Sequence, residues 1–220
     1  MSEVKYVWES RDAIHGRSVD QLILYIARVS NPANQDSSNT RLLQYCMEHG
    51  HVSPFEMASV CLEINTTRDI GRQILRHRSF SFQEFSQRYQ DVSVLGSDFE
   101  PRECRLQDTK NRQNSIKTTA RDKIEPWYDA QKTVWDQAMT SYKEALDMGI
   151  AKEQARALLP EGLTRSRMYM SGTIRSWVHF LKARLDVTTQ AENRLVAYQC
   201  LEILRGVAPI TMEAFFGEEP

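Results

Sequence analysis

Apolar positions along the chain recur with two different spacings, and together they outline a mixed fold. Three short runs, at residues 4–8, 57–64 and 164–171, are continuous or alternating in apolar character and predict strands. Stripes with a spacing of three to four residues predict helices at 21–29, 40–48, from 68 onward, 126–148, 151–159, 173–185, 190–205 and 212–216. Strands scattered among helices favour an α+β fold with a small, mostly antiparallel sheet. No repeat or linker divides the chain, so residues 1–220 are expected to form a single domain.

Local signals indicate where several helices begin. Asp20 is expected to cap the helix at 21–29, and Thr66 with Asp69 has the spacing of a capping box for the helix that follows. Pro126 suits the first turn of the longest helix, where its missing N–H has no hydrogen bond to lose. Residues 90–124 are polar and irregular, and a connection of this length is usually functional or mobile.

The composition narrows the class of protein. Apolar residues make up 41% and charged residues 26%, the proportions of a soluble globular chain, and no apolar run approaches the length of a membrane span. The net charge of −1 argues against a protein held to nucleic acid or membrane by bulk charge. The cysteines have no CxxC spacing and no secretory signal is visible, so we expect a cytoplasmic protein with reduced thiols and no metal site.

Positive charge is concentrated in two parts of this nearly neutral chain. Residues 68–88 contain five arginines against two carboxylates, and residues 156–184 contain six basic residues against one glutamate. Guanidinium groups match the geometry of phosphate and carboxylate, so the two clusters indicate an anionic small-molecule ligand. For any single arginine in them, a solvated helix face is the alternative interpretation.

The densest part of this pattern begins at Gln73. Gln73, Arg76 and His77 lie three and four residues apart, so a helix would place them on one face. Arg76 and Arg78 flank the histidine and would repel one another, and an anion between them would relieve that repulsion.

The chain then continues as a predicted extended segment over residues 81–89. Phe82 and Phe85 are expected to pack inward, while Glu84, Ser86 and Arg88 alternate along one face. A carboxylate, a hydroxyl and a guanidinium in one row could bind a ring that carries both donors and acceptors.

These residues carry a resemblance to a known family. Arg76-His77-Arg78, followed after seven residues by Ser86, resembles the RHRx7S signature of flavin-dependent thymidylate synthases. Further segments resemble the same family in the same order: ARVS at 27–30, GHVSPFE at 50–56, ARALLP at 155–160 and IRSWVHFLKARLD at 174–186. On these matches the chain is identified as a member of that family.

The resemblance implies a fold and a reaction. The fold would be a twisted, mostly antiparallel sheet packed with long helices and distinct from the Rossmann fold, and the chain has no GxGxxG motif after a strand. The reaction would be the reductive methylation of dUMP to dTMP, with methylenetetrahydrofolate as carbon donor, NADPH as reductant and FAD as hydride carrier. The resemblance also implies a homotetramer with active sites between subunits.

Residue roles are carried over from the resemblance position by position. Arg184 would be the catalytic arginine, which binds the uracil edge and stabilises charge at N3. The residues that would bind dUMP are Gln73, Ile74, Leu75, Arg76, Glu84, Phe85, Ser86, Gln87, Arg88, Arg156 and Arg184. The residues that would surround FAD are Ser30, His51, Ser53, Arg76, His77, Arg78, Glu84, Thr173, Arg175 and His179. His51 would lie near the flavin ring, where folate or nicotinamide stacks.

Other chemistries fit the residues less well. Ser86 has no adjacent base or orienting group, so substrate binding is favoured over a role as nucleophile. No cysteine has the Pro-Cys-His context of the flavin-independent thymidylate synthases. A non-enzymatic nucleotide- or RNA-binding protein, with aromatics between its arginines, is one alternative, and an enzyme of this fold with altered chemistry is another.

One basic segment, residues 102–116, resembles a loop found in only part of the family. We hypothesise that this loop closes over the nucleotide or the folate. Because Arg112 lies within it, Arg112→Ala is then expected to weaken at least one of the two apparent affinities.

Overall fold

A computed structural model describes residues 2–96 and 98–217. The main sheet has four strands: β1 (Glu3–Glu9), β2 (Ser59–Thr67), β3 (Ser81–Glu84) and β6 (Arg165–Thr173). They are antiparallel and lie in the order β1-β2-β6-β3. The three strands predicted from apolar spacing are therefore present, and the predicted extended segment contributes the fourth.

In the part of the chain that the structure describes, helices lie between and after these strands in sequence. They are α1 (Val19–Ala27), α2 (Arg41–Glu48), α3 (Arg68–Ile74), α4 (Arg121–Asp147), α5 (Lys152–Ala155), α6 (Ile174–Arg184), α7 (Ala191–Val207) and α8 (Pro209–Phe216). Each corresponds to a predicted helix, and none of these described helices has the length and apolar character needed to cross a bilayer.

The polar connection at 90–124 was predicted to be irregular, and this was wrong in part. It contains a hairpin of β4 (Arg105–Gln107) and β5 (Ser115–Lys117), and α4 already begins at Arg121. Strands of three largely polar residues are too short to show an apolar alternation, so the sequence carried no periodic signal for them.

The main core lies between one face of the sheet and the helices that follow β6. Leu62 and Ile64 of β2 and Met168 and Met170 of β6 are fully buried and belong to one cluster with α6 and α7. Burying a side chain of this size contributes about 1.5–3 kcal/mol. The core thereby fixes α6 and α7 against the sheet.

An aromatic cluster joins the segment after α3 to α6. A Cβ atom at Gly172 would lie 2.4 Å from Cδ1 of Phe80, so only glycine lets this ring approach the sheet. The Phe80 ring packs edge-on against Trp177, with centroids 4.9 Å apart. Trp177 Nε1 in turn donates to the Val60 carbonyl at 3.1 Å. The cluster holds the segment at 76–78 close to α6.

Asp20 does not cap its own helix, contrary to the prediction. Ser18 does, through a capping box in which its Oγ accepts from the Gln21 N–H at 3.4 Å and the Gln21 side chain accepts from the Ser18 N–H at 3.0 Å. Asp20 is buried against α8, where it accepts from the Ile210 N–H at 2.8 Å and from the Thr211 hydroxyl at 2.5 Å. Its carboxylate therefore caps a helix near the other end of the chain.

The predicted capping box of Thr66 and Asp69 was also wrong. Thr66 is still part of β2, where its hydroxyl hydrogen-bonds to that of Ser2 at 2.9 Å. The Asp69 carboxylate accepts from the Thr67 hydroxyl and from Arg102, both at 2.6 Å. The Asp69 carboxylate, which the predicted cap required, is instead bonded to Arg102 from a distant segment.

Pro126 lies in the second turn of α4 rather than in the first, because the helix begins at Arg121. Trp127 Nε1 and Gln131 Nε2 both donate to the Arg102 carbonyl, at 3.0 and 3.2 Å. These contacts hold the early turns of α4 and offset the backbone hydrogen bond that proline cannot make.

Candidate functional site

The end of α3, the segment that follows it and the end of α6 bring together three of the predicted site residues. Arg184 Nε donates to His77 Nε2 at 2.8 Å, and Arg184 Nη2 donates to the main-chain carbonyl of Gln73 at 3.3 Å. The His77 ring packs edge-on against Phe180 at 5.0 Å between centroids. Residues far apart in sequence thus meet at one place in the fold.

His77 is neutral in this arrangement. Burial, reinforced by the positive charge of Arg184, lowers the pKa of His77 to about 4. Its Nε2 accepts from a guanidinium that keeps its protons, so the ring hydrogen belongs on Nδ1. The imidazole therefore orients Arg184 without neutralising its charge.

Arg184 is a half-buried cation with a second arginine nearby. Burial lowers the pKa of Arg184, and the positive charge of Arg76 lowers it further, yet arginine remains ionised at neutral pH. Within residues 2–96 and 98–217, no carboxylate lies within 4.0 Å of the guanidinium of Arg76, Arg78 or Arg184. The cluster therefore has uncompensated positive charge that suits an anionic ligand.

The side chain of Gln73 is held at both of its polar atoms. Its Nε2 donates to Gln190 Oε1 at 2.8 Å, and its Oε1 accepts from Asn193 Nδ2 at 3.0 Å. Gln190 immediately precedes α7, and Asn193 is fully buried in the first turn. Neither was among the predicted site residues, because a polar residue at a helix start is more often a simple cap.

Glu84 lies on the inner face of β3, so the predicted row of polar side chains does not form. Phe82 and Glu84 are two residues apart in the strand and are both half-buried, whereas Phe85 follows the end of β3. The Glu84 carboxylate accepts from the Ser166 hydroxyl at 2.8 Å and lies 3.8 Å from Arg68. The inward packing predicted for Phe82 is present, but the opposite face predicted for Glu84 was wrong, because alternation puts both on one side.

A turn at Ser86 begins a second group of predicted nucleotide-binding residues. The Ser86 carbonyl accepts from the Tyr89 N–H at 3.1 Å, so the chain is no longer extended. Arg88 pairs with Glu153 at 3.2 Å, and Arg156 Nε donates to the Glu153 carbonyl at 3.3 Å. Ser86, Arg88, Tyr89 and Glu153 line an open cleft of about 320 Å³.

The two groups of residues are not directly bonded to each other within the described parts of the chain. In the ranges that the structure describes, no hydrogen bond or ion pair joins Ser86, Arg88 or Arg156 to the Gln73 and Arg184 cluster. The structure therefore assembles the predicted nucleotide-binding set as two parts.

Four other predicted nucleotide contacts are largely enclosed by protein. Ile74 and Gln87 are buried, and Leu75 and Phe85 are half-buried. The Gln87 Nε2 atom has no hydrogen-bond acceptor among the described residues. Leu75 and Phe85 are thus only partly accessible to a ligand, and Ile74 and Gln87 are hardly accessible in this chain.

Some of the residues predicted around FAD lie where the start of α6 meets the segment before β2. Arg175 forms an ion pair with Glu56, which places the start of α6 beside the 3₁₀ turn Ser53–Glu56. Thr173 caps α6 by accepting from the Ser176 N–H at 3.2 Å, so its hydroxyl is already engaged. The remaining side chains are exposed: Ser30, His51, Ser53, Arg78 and His179. Glu56 was not predicted, although it follows Ser53 closely in the same motif.

The β4–β5 hairpin is anchored by arginines other than the one singled out from the sequence. Arg102 and Arg105 both pair with Glu192 of α7. Arg112 is exposed in the turn and lines, together with Gln190, a cleft of about 520 Å³. Closure of residues 102–116 over a ligand stays a prediction.

Comparison with known proteins identifies a family model and relatives that this chain resembles. The family model described as thymidylate synthase complementing protein matches residues 15–210. The chain is 48% identical over 187 residues to the flavin-dependent thymidylate synthase of Synechocystis, covering 84% of each chain. It is 45% identical over 202 residues to a probable flavin-dependent thymidylate synthase of Paramecium bursaria Chlorella virus 1, covering 90% of this chain and 92% of that relative.

A solved structure agrees with these relatives. The chain resembles the UMP/dUMP methylase PolB from Streptomyces cacaoi bound with 5-Br dUMP, with a TM-score of 0.82 and 30% identity over 98% of this chain and 94% of that one. The fold expected from the sequence resemblance is thereby confirmed. The chain belongs to the family of flavin-dependent thymidylate synthases.

Proposed function

We propose that this protein converts dUMP to dTMP with the help of a bound flavin. The observation that carries the proposal is the Arg184 cation, held by neutral His77 and without a carboxylate partner among the described residues. The relatives are named flavin-dependent thymidylate synthases, and the similar methylase was solved with a dUMP analogue. In the full proposal the flavin is FAD, methylenetetrahydrofolate supplies the carbon and NADPH is the reductant.

The donors on this chain fit a flavin dinucleotide. Such a ligand carries a pyrophosphate, and Arg76 and Arg78 have guanidinium groups with no carboxylate within ion-pairing distance in the described chain. His51 and Ser53 offer exposed donors beside the Arg175–Glu56 pair. When bound, the flavin would carry hydride between the reductant and the pyrimidine.

The chain's own residues would bind and polarise the nucleotide. Arg184 would contact the uracil edge and stabilise the negative charge that develops at N3. His77 would keep the guanidinium in place, because a neutral acceptor orients it without cancelling its charge. Arg88 and Arg156 would bind the phosphate.

We also propose that residues 1–220 form a single domain. Four copies of the chain would assemble into a homotetramer whose active sites lie between subunits. Among the described residues, no hydrogen bond or ion pair joins Ser86, Arg88 or Arg156 to Arg184, and this supports the proposal. A symmetric assembly can bring two such groups together from different copies of one chain.

UMP is a second candidate acceptor. The similar methylase is described as acting on UMP as well as dUMP, and it was also solved with 5-Br UMP, at a TM-score of 0.82. The acceptor assay therefore includes both nucleotides.

Product analysis by mass spectrometry tests the proposed function. Purified protein receives FAD, NADPH, methylenetetrahydrofolate and either dUMP or UMP, and each component is omitted in turn. Formation of dTMP only when all are present is the expected result. NADPH oxidation without dTMP would reject dUMP as the acceptor, and methylated UMP formed faster than dTMP would favour the ribonucleotide.

A further inference from the structure

We infer that Glu192 is a positioning residue, which sets the direction of a hydrogen-bond chain through Gln190 and makes Gln73 a donor toward the nucleotide. The inference rests on the proposed function, in which Gln73 binds dUMP. It concerns the residues that connect the β4–β5 hairpin, the start of α7 and the end of α3.

The chain of contacts begins at a firmly held carboxylate. Glu192 accepts from Arg105 of β4, and its other oxygen lies 3.3 Å from Arg102 Nη1. Its side chain is only 20% exposed, so little water competes for these oxygens. Burial acts to raise the pKa of Glu192, but the helix backbone, Arg105 and Gln190 outweigh it, and the pKa lies below its usual range. Glu192 is therefore ionised at neutral pH.

An ionised carboxylate can only accept hydrogen bonds, and this determines how Gln190 is turned. The Gln190 Nε2 group must face the carboxylate, and it donates to Glu192 Oε2 at 3.0 Å. The Gln190 carbonyl oxygen is consequently the atom directed at Gln73. The opposite orientation would place two acceptors, the amide oxygen and the carboxylate, against one another.

The same argument then applies to Gln73. Because Gln190 offers it an oxygen, Gln73 must present its Nε2 group, which donates at 2.8 Å. Its own oxygen is left for Asn193 Nδ2, at 3.0 Å. An amide nitrogen carries two hydrogens, so Gln73 keeps one N–H that these partners do not use.

The residue that carries this N–H has a defined place, and the N–H suits a defined partner chemistry. The main-chain carbonyl of Gln73 accepts from Arg184 at 3.3 Å, so the residue is fixed beside the proposed catalytic arginine. A donor there suits an oxygen of the nucleotide, either a uracil carbonyl or a phosphate oxygen. A reversed amide would present an acceptor instead and would repel the same oxygen.

The test measures dUMP binding to the flavin-loaded protein by equilibrium dialysis. In Glu192→Gln the side chain can either donate or accept, so the chain of amides loses its enforced direction. We expect dUMP to bind about threefold to tenfold more weakly, the change typical of one hydrogen bond. The KM for dUMP should rise accordingly, with a smaller effect on kcat.

A reversal of the pair provides the decisive comparison. In the double variant Gln190→Glu/Glu192→Gln, the carboxylate moves to position 190 and still requires a donor from Gln73. We expect this double variant to bind dUMP within about twofold of the wild type, a coupling that two independent defects would not show. A purely structural role for Glu192 predicts the opposite, that the double variant is worse than either single one.

Further variants keep the outcome interpretable. Gln190→Ala changes an exposed side chain, so the protein should fold, and it should weaken dUMP binding like Glu192→Gln. Glu202→Gln, which alters another arginine-paired glutamate of α7, should leave binding unchanged. The inference would be overturned if the affinity for dUMP were unchanged in Glu192→Gln and Gln190→Ala, or if it did not recover in the double variant. Either result would leave the proposed function standing. A wild-type protein that does not bind dUMP would reject the proposed function and this inference with it.

Discussion

A single histidine, His77, orients the positively charged Arg184 of the candidate site without neutralising it. With a pKa of about 4, His77 is an acceptor at neutral pH, so Arg184 is oriented yet keeps its full charge. A carboxylate in the same place would orient the guanidinium equally well but would neutralise it. The imidazole therefore preserves a cation that, in the proposed reaction, would stabilise the negative charge developing in the pyrimidine.

Arg184→Ala should strongly reduce turnover while flavin stays bound. Removal of a preorganised charge stabiliser of this kind typically lowers kcat by about 10²–10³-fold. The kcat of Arg184→Lys should lie between those of the wild type and Arg184→Ala. Lysine keeps the positive charge but loses the planar contacts to His77 and Gln73. Steady-state dTMP formation and the flavin absorbance of the purified protein provide the two measurements.

Arg41→Ala is the matched control for Arg184→Ala, since Arg41 is an exposed arginine of α2 outside the predicted site. Turnover near the wild-type level in Arg184→Ala would contradict the assigned role.

At the scale of elements, one side chain can stabilise a helix far from it in sequence. Asp20 on α1 accepts from the first N–H groups of α8 and from the Thr211 hydroxyl. Thr211 is itself fully buried, so both partners would lose hydrogen bonds in an interior that water does not reach. The docking of α8 therefore depends on α1.

Asp20→Ala should lower the free energy of unfolding by about 1–3 kcal/mol, the cost of leaving buried donors unsatisfied. Asp20→Asn should cost less, because its amide oxygen can still accept one of these hydrogen bonds. Chemical denaturation followed by circular dichroism measures both values. A loss in Asp20→Ala no larger than that of an exposed control, Glu213→Gln, would show that the capping contacts do not stabilise α8.

At the scale of the whole molecule, the two separate groups of predicted nucleotide-binding residues suggest a shared site. Arg88 is paired with Glu153, whereas Arg184 contacts His77 and Gln73. A site built between subunits would take one group from each of two copies.

Mixed assemblies can test this arrangement directly. Arg184→Ala and Arg88→Ala proteins, each expected to be nearly inactive, are co-expressed with different affinity tags and purified as hybrids. Random pairing should restore about a quarter of the sites, because one copy supplies an intact Arg184 and another an intact Arg88. Hybrids no more active than the separate variants would place both groups in the same subunit.

Local spacing alone determined most of the elements of this protein, and the RHRx7S motif with its companion segments determined its family. Strand and helix periodicity depends on residues within a few positions of one another, so the sheet strands and the helices could be predicted. The motifs assigned His77 to FAD binding and Arg184 to dUMP binding, but the hydrogen bond between the two residues was not predicted. Only the tertiary structure decided the partners of Asp20, Asp69 and Gln73. A polar side chain forms hydrogen bonds with whichever segment folding brings within about 3 Å of it. The neighbouring residues in the sequence therefore do not predict which partner that will be.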